Sequence, residues 1–213
     1  MGLFLQVSAL REILSGPGQR PQPPSVRTVV AWRNRLAGKY ASQLGEPLQW
    51  DEDSTFVEAA DADSGALLGL TFVAAVASGA DAAALPKLSG MPVGPTMAAS
   101  PAIGAAYVKG FAGPFPQLVL GASIWLPFSR NLILEEPDPV GEVRRFGSLP
   151  ALVAQLDALR DRIAAADPKV VPLTADMPVN DRKVLAAAWQ GAALYRKLAS
   201  IAIDRRLPMI LLT

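Results

Sequence analysis

Apolar positions divide the chain into short runs that fit strands and longer amphipathic stretches that fit helices. Phe4 to Leu10 is apolar enough for a first strand. It leads into Gly16-Pro-Gly18 and Pro21-Gln-Pro-Pro24, a connection too rich in proline for helix. Ser25 then fits an N-cap for a helix of about 18 residues ending near Leu44-Gly45. Val29, Val30, Leu36, Tyr40 and Leu44 form its apolar side, and Arg27, Arg35 and Lys39 its wet side. Thr55-Phe-Val-Glu-Ala59 fits a strand and Asp61-Ala-Asp-Ser-Gly65 a turn. Ala66 to Val73 fits a strand returning beside the first, or a buried helix, because so short an apolar run has no decisive period.

Residues 79–116 are rich in Gly, Pro, Ala, Ser and Met and read as a long packed connection with one short helix near Ile103 to Lys109. Gln117 to Leu126 is the clearest strand, stopped by Pro127, and Asn131-Leu-Ile-Leu134 fits a partner for it across Ser129-Arg130. Ser148-Leu-Pro150 reads as an N-cap with proline in the first helical turn. Leu152, Val153, Leu156, Leu159 and Ile163 follow at helical spacing. Asn180 opens the longest helix, Asp181 to about Arg205, with Asp181 at its positive end and Arg205 and Arg206 at its negative end. Pro208-Met-Ile-Leu-Leu212 closes the chain as a wholly apolar, buried strand. The expected fold is α/β or α+β: one domain over residues 1–213, a mixed sheet, about three main helices, and a Gly/Pro/Ala-rich connection at about 79–116.

Composition narrows the chemistry. None of the 213 residues is histidine or cysteine. Ser-His-Asp and Cys-His catalysis, zinc-thiolate sites, His- or Cys-held haem and disulfides are thereby excluded. A net charge of +1 argues against a nucleic-acid partner. The opening Met1-Gly-Leu-Phe-Leu-Gln-Val7 has no basic segment or long apolar run of a secretory signal, so the expected location is the cytoplasm. Between Ser64 and Ser129 only Asp81, Lys87, Tyr107 and Lys109 ionise, yet Gly65 to Ala80 is too short to span a bilayer, and Pro114, Pro116 and Pro127 interrupt Gly110 to Ser129. No membrane span is expected.

Charge is segregated. Residues 1–45 carry six basic side chains against Glu12, whereas residues 46–63 carry Glu46, Asp51, Glu52, Asp53, Glu58, Asp61 and Asp63 and no base. Such asymmetry attracts an oppositely charged partner, or is neutralised within the fold. Asp61-x-Asp63-x-Gly65 matches part of a calcium loop, but no Glu completes it, and a solvated hairpin tip accounts for the same residues. Glu135, Glu136, Asp138 and Glu142 contain the carboxylates an acid–base pair needs, although Pro137 and Pro139 fit an exposed acidic loop better. No dinucleotide, P-loop, Gly-x-Ser-x-Gly or Ser-x-x-Lys pattern is present. No catalytic residue, metal ligand or cofactor is assigned. Trp125 and Trp189 sit in strongly apolar elements and read as core. Trp50 adjoins Asp51-Glu-Asp53 and fits the rim of a docking surface for a basic protein.

Trp125-Leu-Pro-Phe128, Gly147-Ser-Leu-Pro-Ala-Leu-Val-Ala-Gln-Leu156, and a terminal helix followed by Leu207-Pro-Met-Ile-Leu-Leu212 give residues 117–213 a texture that resembles small bacterial immunity proteins. Those are cytoplasmic partners of polymorphic or type VI-secreted toxins. The resemblance implies a non-enzymatic inhibitor that occludes a cognate toxin, and it carries over no binding residues. The expected contact set, read from charge, is Trp50, Asp51, Glu52, Asp53, Asp61 and Asp63. The alternative is a small-molecule-binding or carboxylate-based enzyme domain in which residues 79–116 cover an apolar pocket.

Overall fold

The last strand lies inside a six-stranded sheet, as its wholly apolar sequence requires. The computed structural model describes residues 3–14, 24–79, 82–174 and 183–212. In chain order the strands are β1 (Leu3–Val7), β2 (Glu58–Ala62), β3 (Ile124–Leu126), β4 (Leu134–Pro137), β5 (Val143–Ser148) and β6 (Met209–Leu212), arranged β2-β1-β6-β3-β5-β4. β6 runs antiparallel to both β1 (Leu5 opposite Leu211) and β3 (Ile124 opposite Ile210). β3 and β5 are parallel, and β4 and β5 form an antiparallel hairpin. The sheet is therefore mixed and the fold is α/β. Its α-helices are α1 (Leu10–Ile13), α2 (Val26–Lys39), α3 (Ala41–Leu44), α4 (Ser64–Ala77), α5 (Pro101–Lys109), α6 (Pro116–Val119), α7 (Leu149–Ala166) and α8 (Val184–Arg205).

The chain forms two compact units. One comprises Phe4–Ala60, Ala122–Leu152 and Leu198–Thr213 and holds most of the sheet. Its helix α2 is capped by Ser25, which accepts from the Thr28 amide at 3.1 Å. Gly45, at φ +67°, ends the helical stretch after α3. Val29, Trp32 and Leu36 bury the apolar side of α2 in a cluster with Ile124, Leu126, Leu134, Phe146 and Ile210. Ser148 caps α7, accepting from the Ala151 amide at 3.2 Å.

The other unit comprises Met1–Leu3, Asp61–Gly121 and Val153–Lys197. Here α4 and α8 meet backbone to backbone: a Cβ on Gly191 would lie 2.7 Å from the Ala66 carbonyl oxygen, and one on Gly69 3.1 Å from Ala187 Cβ. The carbonyls at the end of α4 are satisfied from outside it. Arg162 Nη1 donates to Ala77 O and Lys109 Nζ to Ser78 O, each at 2.8 Å.

One ambiguity of the pattern is resolved and two elements depart from it. Of the two readings open for Ala66 to Val73, the buried helix is the one formed, and among the described residues four helices of 14 residues or more are present instead of about three main ones. Asp63 starts α4 by accepting from the Ala66 amide at 2.9 Å, and burial of apolar residues around most of its circumference removes the amphipathic signature. Gln117 to Leu126 divides into α6 and β3: Pro116 occupies the first turn of α6, the Gln117 amide donates to Gln155 at 2.9 Å, and Gly121 at φ +71° breaks the run. The second departure is at β4, which pairs with β5 and not with β3. The hairpin is closed by a turn in which the Asp138 amide donates to Glu142 O at 2.8 Å and Gly141 adopts φ +89°. The longest helix, expected from Asp181, is described from Val184, with Lys183 in an isolated bridge to Pro92; Asn180, Asp181 and the proline-rich stretch around residues 16–23 lie outside the described residues.

Candidate functional site

The acidic segment separates into buried and exposed members. Trp50 and Glu52 are core residues, so neither presents itself to a partner. Glu52 Oε1 accepts from the Leu10 amide at 3.1 Å and Oε2 from the Arg11 amide at 3.2 Å, which places a carboxylate on the amino end of α1. The Trp50 indole also donates to Oε1. The Trp50 ring packs against Trp32 at 6.2 Å between centroids, and Arg33 lies 5.2 Å from the Trp50 ring centroid while donating to the Trp50 carbonyl at 2.7 Å. Glu52 is held inside because it supplies an acceptor that α1 lacks locally: Ala9, its N-cap, makes no side-chain cap bond.

Asp51 and Asp53 are exposed and joined by a 3.0 Å bond from the Asp53 amide to Asp51 Oδ1. Asp61 and Asp63 are also exposed. Asp63 serves as the α4 cap described above, which is a structural use of half the calcium-like sequence. Among the described residues, no group of three or more acidic side chains is placed to hold a metal ion.

Glu135, Glu136 and Asp138 have separate partners. Glu135 pairs with Arg145 at 2.7 Å. Its neighbour Glu136 points to the other side of β4, as consecutive strand residues must, and accepts from Lys39 and Tyr40. Those two hydrogen bonds hold the Glu136 carboxyl below its ordinary pKa, opposed by partial desolvation. The bond to Glu136 is also the main reason that the Lys39 and Tyr40 values are raised. Asp138 is buried in the β4–β5 turn, where it accepts from Val140 N at 2.9 Å, Glu142 N at 3.0 Å and Arg144 Nε at 2.8 Å. The three carboxylates do not share a cleft. Glu135 and Asp138 fasten the hairpin, whereas Glu136 ties β4 to the end of α2.

Trp125 and Trp189 are buried, as their surroundings in the sequence indicate. The indole of Trp189 donates to Leu173 O at 2.6 Å and its ring lies 4.3 Å from the Arg160 guanidinium carbon.

The short helix expected near Ile103 to Lys109 is α5, and what the sequence reading missed is the set of apolar side chains that it and the turn after it expose. Ser100 caps this helix and Pro101 begins it; Gly110, at φ +54°, ends it. Ala106 is buried, whereas Tyr107 is 47%, Val108 87% and Phe111 49% exposed. Three large apolar side chains within five positions therefore face solvent. The signal was present as Tyr-Val-Lys-Gly-Phe, but only the helical phase set by Ala106 shows which of these residues point outward.

Together these features define an α/β protein with a mixed sheet, an exposed acidic segment and an exposed apolar helix. No protein-family model, curated protein or solved structure matches the chain. Among the described residues no helix is long and apolar enough to cross a membrane; α4, the most apolar, spans only about 21 Å.

Proposed function

We propose that this chain is a non-enzymatic bacterial interaction protein, an immunity- or antitoxin-type inhibitor that binds a cognate toxin in the cytoplasm and covers its active site. The observation that carries this reading is the exposed set Tyr107, Val108 and Phe111. Contiguous exposed apolar side chains mark binding surfaces, and aromatic residues are the strongest anchors within them. The kind of partner comes from the resemblance of residues 117–213 to immunity proteins.

The expected contact set changes accordingly. Trp50 and Glu52 leave it because both are committed to the core around α1. Asp51, Asp53, Asp61 and Asp63 remain as exposed negative charges that favour a partner with a basic surface. Charges of this kind accelerate encounter and make it sensitive to salt. Catalysis by Glu135, Glu136 or Asp138 draws no support from their arrangement, since each is held by a different cation.

Capture of the product of the adjacent gene by the full chain tests the proposal. The wild type is expected to form a complex, and Val108→Asp to weaken it at least roughly thirtyfold, the loss expected of a central anchor. Asp51→Asn with Asp53→Asn is expected to slow association and flatten its salt dependence. Absence of a complex across the whole range of ionic strength would remove the proposal.

A further inference from the structure

A pocket of about 460 Å³ lies between the end of α4 and α5. Its walls include Ala75 and Val76 from α4 and Ala102, Ala105 and Ala106 from α5, and Lys109 is the charged side chain among the described lining residues. The space exists because both helices present methyl groups where they face it. Close-packed interiors tolerate few voids, whereas ligand pockets run from roughly 300 to 1,000 Å³ and are mainly apolar with one or two placed polar groups. The Ser78 hydroxyl, also in the lining, is already engaged, donating to Ala74 O at 2.8 Å.

Lys109 gives the pocket its polarity. Its ammonium is anchored on Ser78 O at 2.8 Å, a bond that uses one of its three donors. Among the described residues it has no carboxylate partner. One cation at the edge of an alanine-walled space fits a ligand with one negative charge and a slim apolar body.

We propose that this pocket binds a small amphipathic monoanion, a linear carboxylate of medium chain length, with its alkyl part between α4 and α5 and its carboxylate on Lys109. This binding is a second property of the molecule, and it is read with no toxin present.

Calorimetric titration of the full chain with octanoate, decanoate and dodecanoate, each below its micelle-forming concentration, is the test. Affinity should rise by roughly fourfold per added methylene until the space is filled. Lys109→Met should weaken decanoate by roughly tenfold or more while leaving decanol unaffected, and Lys109→Arg should restore decanoate binding. Ala105→Trp, at an exposed lining position, should block both ligands. The proposal is overturned by absence of binding, by indifference to chain length, by wild-type affinity for decanol equal to that for decanoate, or by either Lys109→Met or Ala105→Trp leaving decanoate binding intact. Melting curves matching wild type certify the fold of each variant. Because no toxin is present in these titrations, their failure leaves the capture experiment standing, and the reverse also holds.

Discussion

Asp51, Glu52 and Asp53 carry the same charge at consecutive positions, yet only the middle one is removed from water. Glu52 answers three donors: two amides at the start of α1 and the Trp50 indole. Replacing it with alanine leaves those donors buried without an acceptor, so Glu52→Ala is expected to lower unfolding free energy in urea by about 3 kcal/mol. Asp51→Asn and Asp53→Asn should each change it by less than ~0.5 kcal/mol. Similar losses for all three would contradict the assignment of Glu52 as the internal member. Trp50→Ala is expected to cost about 3–5 kcal/mol, as for other buried aromatic truncations. The acidic run and its tryptophan were visible in the sequence. Their division into core and surface was not, because the amides that bind Glu52 come from 41 and 42 positions away.

At the scale of elements, helix ends were legible where a side chain nearby in sequence does the capping: Ser25 for α2, Ser148 for α7, and Gly45 after α3. Helix α4 was ambiguous because burial erased its periodicity. Hairpin β4–β5 was missed because Val143-Arg-Arg-Phe146 looks too charged for a strand, although Arg144 and Arg145 find carboxylates in the adjoining β4 and its turn. Helical glycines give an element-level test with opposite signs. Gly38 in α2 has nothing within 4 Å of an added Cβ, so Gly38→Ala should stabilise by ~0.5–1 kcal/mol through helix propensity. Gly191→Ala in α8 should destabilise by about 1–3 kcal/mol, because its methyl would press on the Ala66 carbonyl and force α4 and α8 apart. Thermal melts of the two variants should therefore shift in opposite directions, and shifts of the same sign would refute the close approach of these helices.

For the molecule as a whole, the cluster of Lys39, Tyr40 and Glu136 ties α2 and the residue after it to β4 and makes stability depend on pH. The Glu136 value is lowered on folding, so its contribution is complete above its ordinary value of 4.5 and is lost as pH falls through the folded value. The raised values of Lys39 and Tyr40 act in the opposite sense, with contributions complete below their ordinary values and lost as pH rises through the folded ones. The melting-temperature gap between wild type and Glu136→Gln should thus be widest near neutrality and close in acid, and a gap that persists unchanged to about pH 3 would show that the cluster is not formed. By itself the sequence determined the available chemistry, since a chain without imidazole or thiol cannot build sites that need them, and it determined the elements whose caps and apolar periods are local. Tertiary structure alone decided the partner of β4, the helical state of α4, the burial of Trp50 and Glu52, and the outward phase of Tyr107, Val108 and Phe111. Each of those outcomes depends on groups distant in sequence competing for the same hydrogen bonds and the same dry space, and no local pattern of residues encodes the winner.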